Sequence, residues 1–211
     1  MVSLLNSTLA DREDAALRAM FAARKSVFVD LLKWDLPVAG GVFEIDQFDD
    51  EHARYLILLG NGGQHLASTR LLPTDRPHIL DSLFPELCER PVPKDAFSFE
   101  ITRFCIDRSL RTAERRAARD QLITGMVEHA LVEGMRRFTA VTDMGFLQQI
   151  LSFGWDCSPL GLPVPSQSGI IGALEIRISD DTPSLLARAG KRAVGPAKPV
   201  ADIQIEGRRC G

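Results

Sequence analysis

No apolar run in the 211 residues approaches the ~18–20 positions that a membrane-spanning helix requires. The opening stretch, MVSLLNSTLADRED, lacks a basic leader region and turns acidic at Asp11, so no secretory signal is expected. Cysteine is sparse: Cys88, Cys105, Cys157 and Cys210 are scattered and form no CxxC pair, which points to reduced thiols and a cytoplasmic protein. His52, His65, His78 and His129 show neither HExxH nor a Cys/His ligand spacing, so no metal site is expected. An excess of positive charge is also missing. With 25 basic and 28 acidic residues the formal net charge is −3, which argues against broad binding to nucleic acid. There is no internal repeat.

The rest of the composition is ordinary for a folded chain, with 45% hydrophobic and 25% charged residues. At ~100–200 residues per domain the length suggests one domain over residues 1–211. Its core runs from about 11 to 190. A loosely ordered tail follows over 191–211, in which Ala201–Glu206 can serve as an edge strand.

Hydrophobic spacing predicts an amphipathic helix from Asp11, its cap, to Leu32, with Leu17, Met20, Phe21, Phe28 and Leu31 on one stripe. A loop follows from Lys33 to Asp50. Two strands, Arg54–Leu59 and His65–Leu72, are joined by Gly60-Asn61-Gly62-Gly63 as a hairpin. A helical turn is expected over Asp81–Cys88 and a central strand over Ala96–Ile106. A long helix over Thr112–Arg137 buries Ala118, Leu122, Met126, Ala130 and Met135 and ends on Arg136 and Arg137, as its dipole favours. A strand (Phe138–Thr142), a helix (Gly145–Phe153) and a strand (Ile170–Ile178) complete the reading. The order predicts an α+β, three-layer αβα sandwich: a mixed sheet flanked by helices, laid out as in GNAT acyltransferases.

Several charged residues fall where apolar ones are expected. Arg24 lies on the apolar stripe of the first helix. Two readings stand: an arginine at the stripe's edge with its head in water, or a guanidinium paired with a carboxylate of the following loop. Glu44, Asp46, Asp49, Asp50 and Glu51 are interleaved with Phe43, Ile45 and Phe48. Such a run is either solvated loop or a loop folded over a site, and inward carboxylates need cations, for which Arg70 and Arg103 are available. Glu100 and Arg103 sit three apart in one strand and so face opposite ways unless the strand bulges. Glu100 is either on a solvated face or an ionisable group in an apolar strand, where a raised pKa would suit a general base.

Arg24, Phe28, Trp34, Asp46, Asp49, Arg70, Glu100 and Arg103 resemble, in order and spacing, the eight signature positions of the acyl-homoserine lactone synthases. The surrounding text agrees: R-x3-F-x5-W, then E-I-D-x-F-D, S-T-R-L-L-P-T and F-E-I-T-R-F. The likeness covers about residues 17–160. It implies a GNAT-like fold and the joining of S-adenosylmethionine to an acyl thioester, carried on acyl carrier protein or coenzyme A. The amine is acylated; the carboxylate then closes the lactone and expels 5′-methylthioadenosine. S-adenosylmethionine is a consumed substrate, and no cofactor is expected.

By that resemblance Glu100, Asp46 and Arg103 are the catalytic candidates, and Arg24, Phe28, Trp34, Asp46 and Arg103 the S-adenosylmethionine contacts. Asp49 and Arg70 form a structural ion pair. Thr142, Phe104 and Met126 line an acyl channel between the sheet and the long helix, with the Thr142 hydroxyl either reading a 3-oxo group or playing no part. The basic start of the long helix (Arg111, Arg115, Arg116 and Arg119) is either a solvated face or a dock for an acidic carrier protein. No Gly-rich phosphate turn precedes that helix, which favours a carrier protein over coenzyme A. No membrane or nucleic-acid partner is expected, and the chain is taken as a monomer or weak homodimer. Two other readings compete: a coenzyme-A-dependent N-acyltransferase acting on another amine, and a non-catalytic sensor of an amphipathic ligand.

Overall fold

Ala16, Met20 and Phe21 recur at helical spacing and are buried, which seats the first helix, α1 (Leu9–Arg24), on the rest of the chain. The computed structural model describes residues 9–166, 169–191 and 201–204. Asp11 lies inside α1 rather than ahead of it as a cap. The helix does not run on unchanged to Leu32: Lys25–Leu31 widens into π-helical turns. The widening shows in Leu32, whose N–H donates to the Val27 carbonyl five residues back, and Trp34 then donates its N–H to the Phe28 carbonyl. Such local widening is often found at functional sites.

The expected loop after Lys33 contains a small hairpin, β1 (Val38–Ala39) with β2 (Phe43–Glu44). Gly40 and Gly41 between them have φ of +58° and +73°, a conformation that side-chain-bearing residues rarely adopt. Then come β3 (Arg54–Leu59) and β4 (His65–Pro73), the short α2 (Ile79–Leu83) and a single 3-10 turn, Pro85–Leu87. β5 (Ser98–Ile106) leads into α3 (Thr112–Val132). α3 ends before Gly134, which takes φ +70°. Arg137 therefore opens the next strand instead of closing the helix, a correction to the dipole-based reading of Arg136 and Arg137. β6 (Arg137–Asp143), α4 (Met144–Leu151), β7 (Asp156–Pro159), β8 (Val164–Ser166), β9 (Gly169–Arg177) and α5 (Thr182–Arg188) follow. A late strand, β10 (Ala201–Gln204), pairs with the edge of β3.

The strands form one sheet in the order β10-β3-β4-β5-β6-β9-β7, with β8 also paired to β9. All its pairings are antiparallel except β5 with β6, which α3 connects as a crossover. Alternation along β3 decides what each face meets. Tyr55 and Ile57 pack with α1 residues, whereas Leu56 and Leu58 join the larger core with Leu122, Met126 and Ala130 of α3. The outcome is the expected mixed sheet flanked by helices. Among the described residues no helix is long and apolar enough to cross a membrane.

Candidate active site

The loop between β2 and β3 folds inward because its carboxylates find three arginines from three separate elements. Arg24, at the end of α1, is fully buried; its Nε bonds Glu44, and its Nη1 and Nη2 both reach Asp49 at 2.8 Å. Arg70 of β4, equally buried, contacts Asp46 at 2.6 Å and Asp49 at 2.8 Å, and its Nε donates to the Thr102 hydroxyl. Arg103 of β5 contacts Glu44 at 3.1 Å and Asp46 at 2.6 Å. Three guanidiniums thus balance three carboxylates. Tyr55 donates its hydroxyl to Asp49 at 2.7 Å, and the Asp46 N–H donates to Asp49 as well.

Burial works against ionising Asp49, but the Arg24 hydrogen bonds and the Arg70 charge outweigh it and hold the carboxyl below its ordinary value. The Tyr55 phenol is pushed up by its burial and the adjacent Asp49 charge. Asp49 and Arg70 are in contact within a cluster that is larger than a pair. Of the acidic run, Glu44 joins Asp46 and Asp49 in it, and Tyr55 belongs to it although nothing in the sequence pointed to that residue.

Arg103 reaches this cluster only because β5 bulges. Ser68 pairs with Cys105 while Arg70 pairs with Thr102, so Thr69 faces two residues, Arg103 and Phe104. Arg103 sits at φ +50°, an uncommon region for a residue with a side chain. The extra residue puts Arg103 on the side of the sheet that carries Arg70. Glu100 is on the same side and fully buried: its carboxylate accepts the N–H groups of Ile79 (2.7 Å) and Leu80 (3.0 Å) at the start of α2. Burial pushes its pKa up to about 8, against the pull of those two hydrogen bonds and of Arg70 and Arg103.

The parallel pair also parts here. β5 and β6 are in register only from Ser98–Arg137 to Ile101–Ala140; beyond that, β5 continues beside β4 and β6 beside β9. The parting lies next to the bulge. Beyond Ile101 and Ala140 the backbone groups of β5 and β6 no longer pair with one another.

Of the expected S-adenosylmethionine contacts, Phe28, Trp34, Asp46 and Arg103 gather at one edge of the cluster. Trp34 stacks on Phe28 with centroids 5.0 Å apart, and the Arg103 guanidinium lies 5.7 Å from the centroid of the same Phe28 ring. Trp34 keeps 37% of its surface exposed, so part of its ring is available to a ligand. Arg24 is different: it is enclosed, and its guanidinium is occupied by Glu44 and Asp49.

The residues expected to line an acyl channel fall on the opposite face of the sheet. Met126 is buried in the α3 core, Phe104 packs at its margin against Phe146 with centroids 5.6 Å apart, and half-buried Thr142 lies on β6 beyond the parting. Thr142 pairs with Gly172, which lines a cavity of about 350 Å³ with Met144, Leu147, Leu160, Leu162 and Pro163. Four arginines begin α3 but are not equivalent. Arg115 donates to the Asp107 carbonyl, and Arg119 pairs with Asp120 at 2.7 Å and lies over Phe153. Arg111 and Arg116 are exposed.

With this geometry in view, a family model described as autoinducer synthase matches residues 8–185. An acyl-homoserine-lactone synthase of Rhizobium etli is 30% identical over 185 residues, 86% of this chain and 85% of that protein. The solved structure of a CoA-dependent acyl-homoserine lactone synthase, BjaI, with SAM and isopentyl-CoA superposes with a TM-score of 0.76 at 27% identity. That match covers 89% of this chain and 90% of BjaI, and BjaI is also solved with MTA. A Lactobacillus plantarum protein described as an N-acetyltransferase shares the fold alone, with a TM-score of 0.54 at 15% identity over 82% of this chain and 94% of that one.

Proposed function

The chain belongs to the autoinducer synthase family and is an acyl-homoserine-lactone synthase, and from that premise we propose how it carries out the reaction. S-adenosylmethionine is acylated on its amine by an acyl thioester and then closes its own lactone, releasing 5′-methylthioadenosine. The observation that carries this reading is the placement of Glu100, Arg103 and the Phe28–Trp34 stack beside the point where β5 leaves β6.

An α-amine with a pKa of roughly 7.7–8.0 is largely protonated at neutral pH, so it must lose a proton before it can attack. Glu100 takes that proton: the N–H bond breaks, an O–H bond forms, and the freed lone pair attacks the thioester carbonyl. Backbone N–H groups near Ile101–Phe104 hold the oxyanion. When the C–S bond breaks, the thiolate leaves with the second amine proton and the amide remains. In the next step the substrate carboxylate attacks its γ-carbon, the bond to the sulfonium breaks, and the two opposite charges cancel. No cofactor enters this scheme.

The Phe28–Trp34 pair supplies an aromatic face to the sulfonium and adenine end, and Asp46 and Arg103 bind the charged methionine end. Arg24 takes a different role from the one expected of it. Enclosed with Glu44 and Asp49, it holds the loop in place and leaves substrate contact to Arg103.

For the donor's carrier, two readings have support. Exposed Arg111 and Arg116 suit an acidic carrier protein. Likeness to a CoA-dependent synthase favours coenzyme A, and since Arg115 and Arg119 are engaged internally we adopt coenzyme A. Mass spectrometry of extracts from cells expressing the chain, beside a Glu100→Gln control, tests the proposal. A lactone-ring fragment only with the wild type supports it; equal lactone from both sinks the role of Glu100.

A further inference from the structure

One buried hydroxyl at the site has no part in the reaction as written. Thr139 of β6 is fully buried, and its Oγ1 has no hydrogen-bond partner. In the parallel register it stands directly beside Glu100. Neighbouring strands lie about 4.8 Å apart, so the two side chains leave the sheet together, on the face that the start of α2 covers. Valine would fill the same volume without burying an unpaired hydroxyl. On packing grounds alone, threonine is the worse choice.

What Glu100 must do as a base explains the hydroxyl. As a carboxylate it accepts from the Ile79 and Leu80 amides, and both bonds suit the charged form. Once it takes a proton, one oxygen becomes a donor and needs an acceptor. The two amides cannot serve. Neither can Arg70 or Arg103, the charged groups acting on Glu100 from β4 and β5, because guanidinium only donates. His78, just before the two amides, has Nδ1 bonded to the Arg76 carbonyl and a buried Nε2 without a partner. Thr139 offers a hydroxyl oxygen on the neighbouring strand, unbonded while Glu100 is a carboxylate.

We propose that the Thr139 hydroxyl accepts the hydrogen bond of protonated Glu100 and is a positioning residue for proton transfer in amine acylation. This rests on the reading of Glu100 as the base of an acyl-homoserine-lactone synthase. In the step concerned, the ammonium N–H bond breaks and the O–H bond forms on Glu100. As the neutral amine moves onto the thioester carbonyl, that O–H turns from the nitrogen to Thr139, which keeps the carboxyl plane fixed.

Packing and hydroxyl roles predict opposite orders for two substitutions, Thr139→Val and Thr139→Ser. Both would be made in the full chain, purified, and assayed for kcat, KM and melting temperature with S-adenosylmethionine and acyl-CoA. The proposal expects Thr139→Val to melt at or above the wild-type temperature. Its kcat falls roughly tenfold or more while KM for S-adenosylmethionine is unchanged. Thr139→Ser keeps kcat within about threefold although it packs less well. A Thr139→Val protein with wild-type kcat overturns the proposal and leaves His78 as the remaining unpartnered acceptor. Equal losses in both variants also overturn it, since they show that shape is what matters. If Thr139→Val does not fold, Thr139→Ser against Thr139→Ala reads the same hydroxyl. A wild type that releases neither lactone nor methylthioadenosine overturns the synthase reading, and this proposal with it.

Discussion

Replacing Asp49 by asparagine tests whether the ion cluster holds the site loop in place. The carboxylate receives two bonds from Arg24 at 2.8 Å, one contact from Arg70 at 2.8 Å, the Tyr55 hydroxyl at 2.7 Å and the Asp46 N–H at 2.8 Å. The asparagine side chain would keep one acceptor oxygen and turn an NH2 group toward donors. It would also leave Arg24 and Arg70, both fully buried, one negative charge short. Removing one partner from a buried ion pair costs about 3–5 kcal/mol, a large share of a typical total of about 5–15 kcal/mol. With a urea m-value of roughly 2–3 kcal/mol/M, a loss of ~4 kcal/mol lowers the unfolding midpoint by about 1.3–2 M. Asp35→Asn, at an exposed aspartate, is the control and should stay within about 0.5 kcal/mol of wild type. Urea unfolding followed by Trp fluorescence makes the comparison. An Asp49→Asn midpoint within about 0.3 M of wild type would refute the view of the cluster as a buried, charge-balanced scaffold.

Other expectations follow from individual groups. With its pKa pushed up to about 8 by burial, Glu100 is mostly protonated at neutral pH, so the acylation rate at saturating substrate should climb with pH and level off above about 8. A rate flat across that range would contradict Glu100 as the base. Burial pushes His65 down to about 4, so it is neutral in the fold and charges on unfolding below its ordinary value of 6.5. The unfolded state then binds more protons, and roughly 3 kcal/mol of stability is lost as pH falls from 6.5 to 4. Urea midpoints at several pH values should show that slope in wild type and a shallower one in His65→Gln, and equal slopes would contradict it. Trp34→Ala removes a half-exposed stacking face worth about 0.5–1.5 kcal/mol, so KM for S-adenosylmethionine should rise roughly two- to tenfold with little change in melting temperature. An unchanged KM would place the ligand elsewhere.

Much of the fold is legible in the sequence wherever the signal is local. The hairpin turn at Gly60–Gly63, the apolar stripe of α3 and the strand character of β5 follow from spacing that neighbouring residues carry themselves. The need for a bulge is legible too, because Glu100 and Arg103 cannot share a face of a regular strand, and the φ of Arg103 shows where the extra residue went. The membership of the ion cluster is less so. Which carboxylates of the Glu44–Glu51 run turn inward is decided by arginines on α1, β4 and β5, contacts between residues far apart in the chain. Glu44 and Asp46 alternate correctly for one face, but nothing local separates them from a solvated run.

The widened turns at Lys25–Leu31 leave no mark in residue type, and they set where Trp34 meets Phe28. The end of α3 is easily misread because Arg136 and Arg137 suit a helix terminus as well as a strand start, and Gly134 decides between them. β7 and β8 are short and rich in Pro and Ser, so neither strand has a readable alternation of its own.

The most direct test of the account uses the purified chain with S-adenosylmethionine and a set of acyl-CoA and acyl-carrier-protein donors, with lactone and methylthioadenosine quantified together by mass spectrometry. Equimolar acyl-homoserine lactone and methylthioadenosine are expected with at least one acyl-CoA. An acylated amine formed without methylthioadenosine, or free thiol released with no lactone from any donor, would contradict it.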